Sequence, residues 1–335
     1  MTIDEYKFEF RKIVNNNKNF IITTHENSDG DGIGAQFAFL LYLEKLGKNI
    51  KVINQNKPLD IYSFLGLSDR VETLVTNSPD NIIIMLDCNE KKRVGQKIQG
   101  IFDSYKKIIC IDHHWKEENI VDSISYIDVY SASTCELIYL LLKDEIVNFS
   151  STWKKKFANC LYTGLIYDTN NYVNNNVKPI TLSIASELIQ LGANNNLCYL
   201  NLFENMSLTE LRLLGETLSS LEVFFDGKVV CYLTSQKMLN DCNGDMELTS
   251  GFSKEVKPTD KHEVVIYLRE IDKNYYRCSL RSKNLNVQKI AKNYNGGGHK
   301  HAAGFKTKMS LNNLRNNLLD EIYKELKFST ENKKS

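Results

Sequence analysis

The sequence predicts an α/β protein in two parts: a parallel sheet flanked by helices and, after a helical linker, a smaller mixed α/β domain. Three observations carry this. Strand-like and helix-like segments alternate up to about residue 170, the mark of a parallel sheet with helices on its faces. Two strand candidates, residues 82–86 and 107–111, are near-continuous runs of Ile, Leu, Met and Cys, as strands buried on both faces require. Beyond residue 222 the pattern changes to hairpins. The expected divisions are a first domain at 1–190, a linker at 191–221, a second domain at 222–328 and a charged, disordered tail at 329–335.

The first strand candidate, residues 20–23, runs into Thr23-Thr24-His25-Glu26-Asn27-Ser28-Asp29-Gly30-Asp31-Gly32-Ile33-Gly34-Ala35, and a helix marked by Phe37, Leu40, Leu41, Leu43 and Leu46 follows. This glycine-rich turn holds one imidazole and two carboxylates, which is half of a metal site. A dinucleotide fingerprint fits Gly30, Gly32 and Ala35. It is disfavoured because Asp29 and Asp31 would face a pyrophosphate, and because the strand at 50–54 ends without an acid to bind a ribose. A calcium loop fails because Ile33 stands where it needs another oxygen donor. A plain helix cap by Asp with a nearby hydrogen-bonding His stays open for the stretch alone.

The two buried strands each end in an acid: Asp87 follows residues 82–86, and Asp112-His113-His114 follows residues 107–111. Ser133 and Glu136, three apart, open a helix with a capping-box pattern. A further helix over 153–167 closes at Asp168, where the helix dipole disfavours a carboxylate unless a cation is near. Helices are expected at 179–191 and 208–221, and the asparagine tracts 174–176 and 194–196 read as turns. The second domain is expected to hold hairpins at 223–233 and 263–281, a helix at 287–294, the glycine turn 296–305 and a final amphipathic helix.

Of the 335 residues 42% are hydrophobic and the formal net charge is +1, which suits a globular two-domain protein and argues against a dedicated duplex-DNA coat protein. The N-terminal residues lead into no apolar run of signal or membrane length, so a cytoplasmic protein with no membrane partner is expected. The 8 cysteines form no C-x-x-C pair and several sit in apolar segments, the pattern of reduced, buried thiols.

His25, Asp29, Asp31, Asp87, His113 and Asp168 thus bring two imidazoles and four carboxylates to one sheet edge. Carboxylates so close repel one another unless cations neutralise them. Oxygen donors mixed with imidazole suit Mn²⁺ better than zinc, and four acids sharing two ions can clamp a phosphoryl group.

His25-x-x-x-Asp29-x-Asp31, Asp87, Asp112-His113-His114 and Asp168, closed by Gly296-Gly297-Gly298-His299, strongly resemble the DHH phosphoesterases that carry the DHH-associated C-terminal domain. The resemblance covers roughly residues 15–325 and is nearest to the family's oligoribonuclease branch. It implies that His25, Asp29 and Asp87 hold one Mn²⁺ and that Asp31, Asp87, His113 and Asp168 hold a second. It also implies that His114 touches the substrate phosphate while Asp112 orients the histidines. The catalytic candidates are therefore His114 and Asp112. The substrate-binding candidates are His114, Arg93, Arg281, Gly296, Gly297, Gly298 and His299, the glycines as a nest of N–H groups around a phosphate. Expected substrates are short single-stranded RNA or dinucleotides and 3′-phosphoadenosine 5′-phosphate, and a homodimer is left open. Ser28 and Asn170-Asn171 depart from the family pattern without removing a ligand. Rival readings are an inorganic pyrophosphatase, a linear or cyclic dinucleotide phosphodiesterase and a nucleotide-binding sensor.

Overall fold

A computed structural model of the chain describes residues 3–74, 81–115 and 123–331, with side chains through residue 327. The chain divides into two compact units, Met1–Asn205 and Met206–Ser335. In the first, β1 (Asn19–Thr23), β2 (Asn49–Ile53), β3 (Val71–Glu72), β4 (Ile82–Leu86), β5 (Lys107–Asp112) and β6 (Ser123–Ile127) form one sheet in the order β3-β2-β1-β4-β5-β6. All its pairings are parallel. Every residue of β4 is buried, because apolar clusters cover both faces of the sheet. On this scale each such Ile contributes about 1.5–3 kcal/mol by leaving water.

One face is covered by α1 (Ile3–Asn16), α2 (Gly30–Lys45), α3 (Thr134–Leu142) and α4 (Ser151–Asp168), whose apolar residues join Phe20, Ile22, Ile82, Ile84 and Leu86 in the main core. The other face carries short 3₁₀ segments at Lys91–Val94 and Gln96–Phe102. Val94, Ile98 and Ile101 pack there on Ile21, Ile83, Met85, Ile108 and Cys110. The expected flanking layer is therefore built from full helices on one side and from short 3₁₀ segments on the other. Two more helices, α5 (Pro179–Gln190) and α6 (Asn195–Phe203), complete the unit.

In the second unit α7 (Leu208–Ser219) precedes a six-stranded mixed sheet: β7 (Glu222–Phe224), β8 (Val229–Thr234), β9 (Val264–Asp272), β10 (Tyr275–Ser282), β11 (Gly297–His299) and β12 (Ala302–Lys308). The order is β11-β12-β10-β9-β8-β7, antiparallel throughout except for the parallel β8–β9 pair. The short helix α8 (Gln236–Asp241) follows β8, and α9 (Val287–Asn293) and α10 (Leu311–Glu331) follow β10 and β12. Cys278, Leu280, Ile290, Leu314 and Leu318 form a core on one face of this sheet, and Leu213, Tyr232, Phe252 and Tyr267 form one on the other.

Three features differ from expectation. Residues 191–221 do not form a separate linker: Cys198 of α6 is buried in the core of the first unit and Leu213 of α7 in a core of the second. The glycine turn contains an edge strand, β11. At the C-terminus α10 continues through Glu331, and the rest of the expected tail, 332–335, lies outside the described residues.

Candidate metal centre

In a doubly wound sheet of this strand order the chain reverses its direction of winding between β1 and β4, and a crevice opens at their C-terminal ends. The sequence places its chemistry at this point. His25 lies just past β1, Asp87 immediately past β4, and Asp112 ends β5 with His113 and His114 behind it. Asp29 caps α2, its Oδ1 accepting from the N–H groups of Asp31 and Gly32, so the plain capping role holds alongside any other. Asp168 is the last residue of α4.

The six expected ligands converge with Asp112 and His114 in three overlapping groups: His25 with Asp29 and Asp87, Asp31 with His113 and Asp168, and Asp87 with Asp112, His113 and His114. Asp87 links them. Its Oδ2 is 3.4 Å from His25 Nε2 and its Oδ1 is 3.6 Å from His113 Nε2. His25 Nε2 is also 3.8 Å from Asp29 Oδ1, while His113 Nε2 lies 3.0 Å from Asp168 Oδ2 and 3.8 Å from Asp31 Oδ2.

The donors suit a cation. His25 Nδ1 is 2.9 Å from the Glu26 carbonyl and His113 Nδ1 is 3.4 Å from that of Ser131. Since a carbonyl only accepts, each Nδ1 carries a proton, which leaves Nε2 of each ring as the atom that faces the carboxylates and would meet a cation. Asp87 Oδ2 and His113 Nε2 are buried without a hydrogen-bond partner. Such orphaned atoms are costly unless something positive sits among them. Four carboxylates facing two such imidazoles have the charge and hardness for divalent ions.

Backbone groups that residue type does not reveal hold this arrangement. The first turn of α3 cradles Asp31: Thr134 N–H donates to Oδ2 at 2.6 Å and Cys135 N–H to Oδ1 at 2.9 Å, where the helix N-terminus favours negative charge. Thr134 Oγ1 donates to Asp87 Oδ1 at 3.0 Å. Asn89 Nδ2 donates to the carbonyl of His114 at 3.1 Å, tying down the His-His turn. Asp87 sits at φ 55°, a left-handed backbone that costs a non-glycine residue roughly 1–2 kcal/mol and turns its side chain into the cluster. Helices α2 and α4 meet at Gly34 and Gly164. A Cβ on Gly34 would stand 2.4 Å from the Cys160 carbonyl oxygen, and one on Gly164 would stand 2.7 Å from Asp31 Oδ1.

Electrostatics separates the acids. Burial opposes ionisation of Asp87, but contacts with His114 and His25 and the charge of His113 hold its carboxyl well below the usual range. Burial raises Asp31, and Asp87 and Asp168 add to this. For His25 burial disfavours the charged ring, yet Asp29 and Asp87 prevail and push it up to about 10. Asp112, then Asp87, raise His114 to about 10. Without cations, protons on the imidazoles balance the acids.

Asp112 orients one histidine, not both. Its Oδ1 accepts from His114 N–H at 3.1 Å and lies 2.8 Å from His114 Nδ1, while His113 is fixed by Ser131. The His114 side chain is 43% exposed, and with Nδ1 engaged it offers Nε2 to a ligand. Arg93 adjoins the His25 turn through its backbone, its carbonyl accepting from Glu26 N–H at 2.6 Å.

In the second unit Arg281, Gly297 and Gly298 line a groove of about 540 Å³, and His299, at the end of β11, is exposed. Gly296 does not share the groove. Its N–H donates to the Ala291 carbonyl at 2.9 Å, closing α9, and a Cβ there would meet the Gly304 carbonyl oxygen at 2.4 Å. The three-glycine nest is therefore not formed: one N–H is spent on a helix end and the other glycines belong to an edge strand.

The DHH family N-terminal domain matches residues 19–165 and the DHHA1 domain matches residues 229–327. Asp168 falls just beyond the first span. A bifunctional oligoribonuclease and PAP phosphatase NrnA from Thermus thermophilus is 28% identical over 315 residues, covering 91% of this chain and 89% of that protein. The protein of the same name from Mycoplasma genitalium is 24% identical over 298 residues, covering 85% and 87%. The crystal structure of an exopolyphosphatase-related protein from Bacteroides fragilis has the same fold, with a TM-score of 0.81 and 24% identity over 96% of each chain. With a DHH domain in its first unit and a DHHA1 domain in its second, the chain belongs to the DHH family of phosphoesterases.

Proposed function

We propose that this phosphoesterase hydrolyses short oligoribonucleotides to nucleoside monophosphates, removes a phosphate from 3′-phosphoadenosine 5′-phosphate, and uses two Mn²⁺ ions to do so. The observation that carries this is Asp87, whose two oxygens face two imidazoles from opposite sides of one acidic cluster. The names of the relatives from T. thermophilus and M. genitalium supply the substrate class. His25, Asp29 and Asp87 would hold one ion, and Asp31, Asp87, His113 and Asp168 the other. When bound, such ions lower the pKa of water towards neutrality and polarise phosphoryl oxygens.

The protein's own groups do the rest. Asp87 and Asp31 set the spacing of the centre because Thr134 and the N-terminus of α3 fix both carboxylates before substrate arrives. His114, oriented by Asp112, donates from Nε2 to a phosphate oxygen and stabilises charge as it builds there. In the second unit Arg281, with the backbone of Gly297 and Gly298, binds a phosphate of the same class of ligand, and exposed His299 adds a polar contact. No protein nucleophile is required.

The test is the Mn²⁺-loaded chain assayed side by side on end-labelled RNA from dimers to 20-mers, 3′-phosphoadenosine 5′-phosphate, linear and cyclic dinucleotides, and pyrophosphate. Short RNA and the adenosine bisphosphate are expected to lead. Pyrophosphate or a cyclic dinucleotide as the one good substrate would overturn the proposal.

A further inference from the structure

The groove of the second unit holds more positive charge than one phosphate needs. Along β10, Tyr276, Cys278, Leu280 and Ser282 are buried, so Arg277, Ser279 and Arg281 point the other way and line the groove. In the sheet register Arg277 stands opposite Arg269 on β9 and opposite Lys306 on β12. Three cations thus form one row across three strands, where like charges directly opposite destabilise a sheet. Among the described residues none of the three is paired with a carboxylate.

Arg269 is the telling member. Its residue is 8% exposed and its Nε is buried without a hydrogen-bond partner. Its Nη1 donates to Thr249 Oγ1 at 3.3 Å, and the guanidinium stands 5.7 Å from the Tyr267 ring centroid. Its charge is buried with no anion beside it, an arrangement that costs free energy until one arrives. Ser250 and Ser253 also line the groove.

The Arg269 end of this row is distant from Gly297, although Lys306 on β12 lies on the strand next to β11. Three strand spacings separate β11 from β9, about 14 Å at 4.8 Å each, and contacts with Thr249 and Tyr267 hold the Arg269 guanidinium on the β9 side. One phosphate group cannot occupy both ends. We propose that Arg269, Arg277 and Lys306 form a second anion subsite, which takes a backbone phosphate of an oligoribonucleotide other than the one at Arg281 and Gly297. The proposal rests on the RNA reading above and adds a basis for measuring substrate length.

The experiment titrates the full chain with fluorescent RNA dimers, trimers and tetramers across a salt series, with divalent ions chelated so that nothing is cut. The variants are Arg277→Gln and Lys306→Gln, both at exposed positions. Each lost phosphate contact should lower the salt slope by about 0.7 for a single strand. The affinity loss should grow from dimer to tetramer, reaching about three- to tenfold. Wild-type slopes and affinities at every length would overturn the subsite, as would an equal loss at every length, which would indicate one shared phosphate clamp. Inorganic phosphate competing as strongly as the tetramer would also overturn it. Hydrolysis of RNA by the wild-type chain, measured with Mn²⁺, separates the two failures: without it the RNA reading itself falls, and with it only the subsite is at stake.

Discussion

Thr134→Val is the most informative single change in the first unit, because it removes one hydrogen bond and little else. The side chain is fully buried, its Oγ1 donates to Asp87 Oδ1 at 3.0 Å, and its backbone N–H, which a valine retains, holds Asp31. A hydrogen bond to a charged acceptor is worth about 1.5–3 kcal/mol. At 1.4 kcal/mol per factor of ten this corresponds to roughly a 10- to 150-fold loss. That agrees with the 10- to 100-fold cost usual when a group supporting a metal ligand is removed. Mn²⁺ affinity measured by calorimetry should fall by this factor, with kcat/KM on an RNA dimer falling alongside. Thr134→Ser, which keeps the hydroxyl, should stay within about threefold of wild type. A valine variant with wild-type metal affinity and turnover would refute the claim that Thr134 positions Asp87, as would a serine variant as impaired as the valine.

Asp87→Asn should reduce turnover by orders of magnitude and lower metal content, checked by steady-state kinetics and elemental analysis; full activity with one ion per chain would end the two-ion scheme. His113→Ala should lose metal, whereas His114→Ala should keep it and lose kcat, so equal metal loss in the two would reverse their roles. Chelation should leave a folded protein of lower Tm. At a hundredfold excess over Kd, Mn²⁺ adds about 2.7 kcal/mol, read by calorimetry as roughly 5–11 °C for a unit of this size. Gly34→Ala sets a methyl 2.4 Å from the Cys160 carbonyl oxygen and should cost about 1–3 kcal/mol through overpacking, seen as a lower denaturant midpoint.

What could be read from the sequence was what side-chain type alone announces. Residues 82–86 and 107–111 declared buried strands through unbroken apolar runs, and the acids that follow them marked the sheet edge. β3 went unseen because two residues, Val71 and Glu72, make no pattern. β6 went unseen because only Ile124 of Ser123–Ile127 is buried on this edge of the sheet. α1 could have been found: Tyr6, Phe10, Ile13 and Val14 are its buried residues and recur at helical spacing. At the metal centre the acids and imidazoles were legible, but the N–H groups of Thr134 and Cys135 were not, since every residue but proline carries one. The same limit hid the fate of Gly296, whose amide is committed to the end of α9 by a contact no local pattern encodes. The Arg269–Arg277–Lys306 row appears only once the register aligns three strands that sequence alone cannot pair.

The path of the chain through the metal centre also dictates a schedule. Its acids and imidazoles run from the turn after β1 to the final residue of α4, and Asp31 is held by a helix that begins a hundred residues later. During synthesis the cluster cannot exist until residue 168 has left the ribosome and the parallel sheet has closed, a slow event because its contacts are distant in sequence. A zinc finger is drawn together by its ion; here apolar cores on both faces of the sheet carry the fold. Copies that lack divalent ions are therefore expected to be finished but idle, and to need resupply of the ion, not a new round of translation.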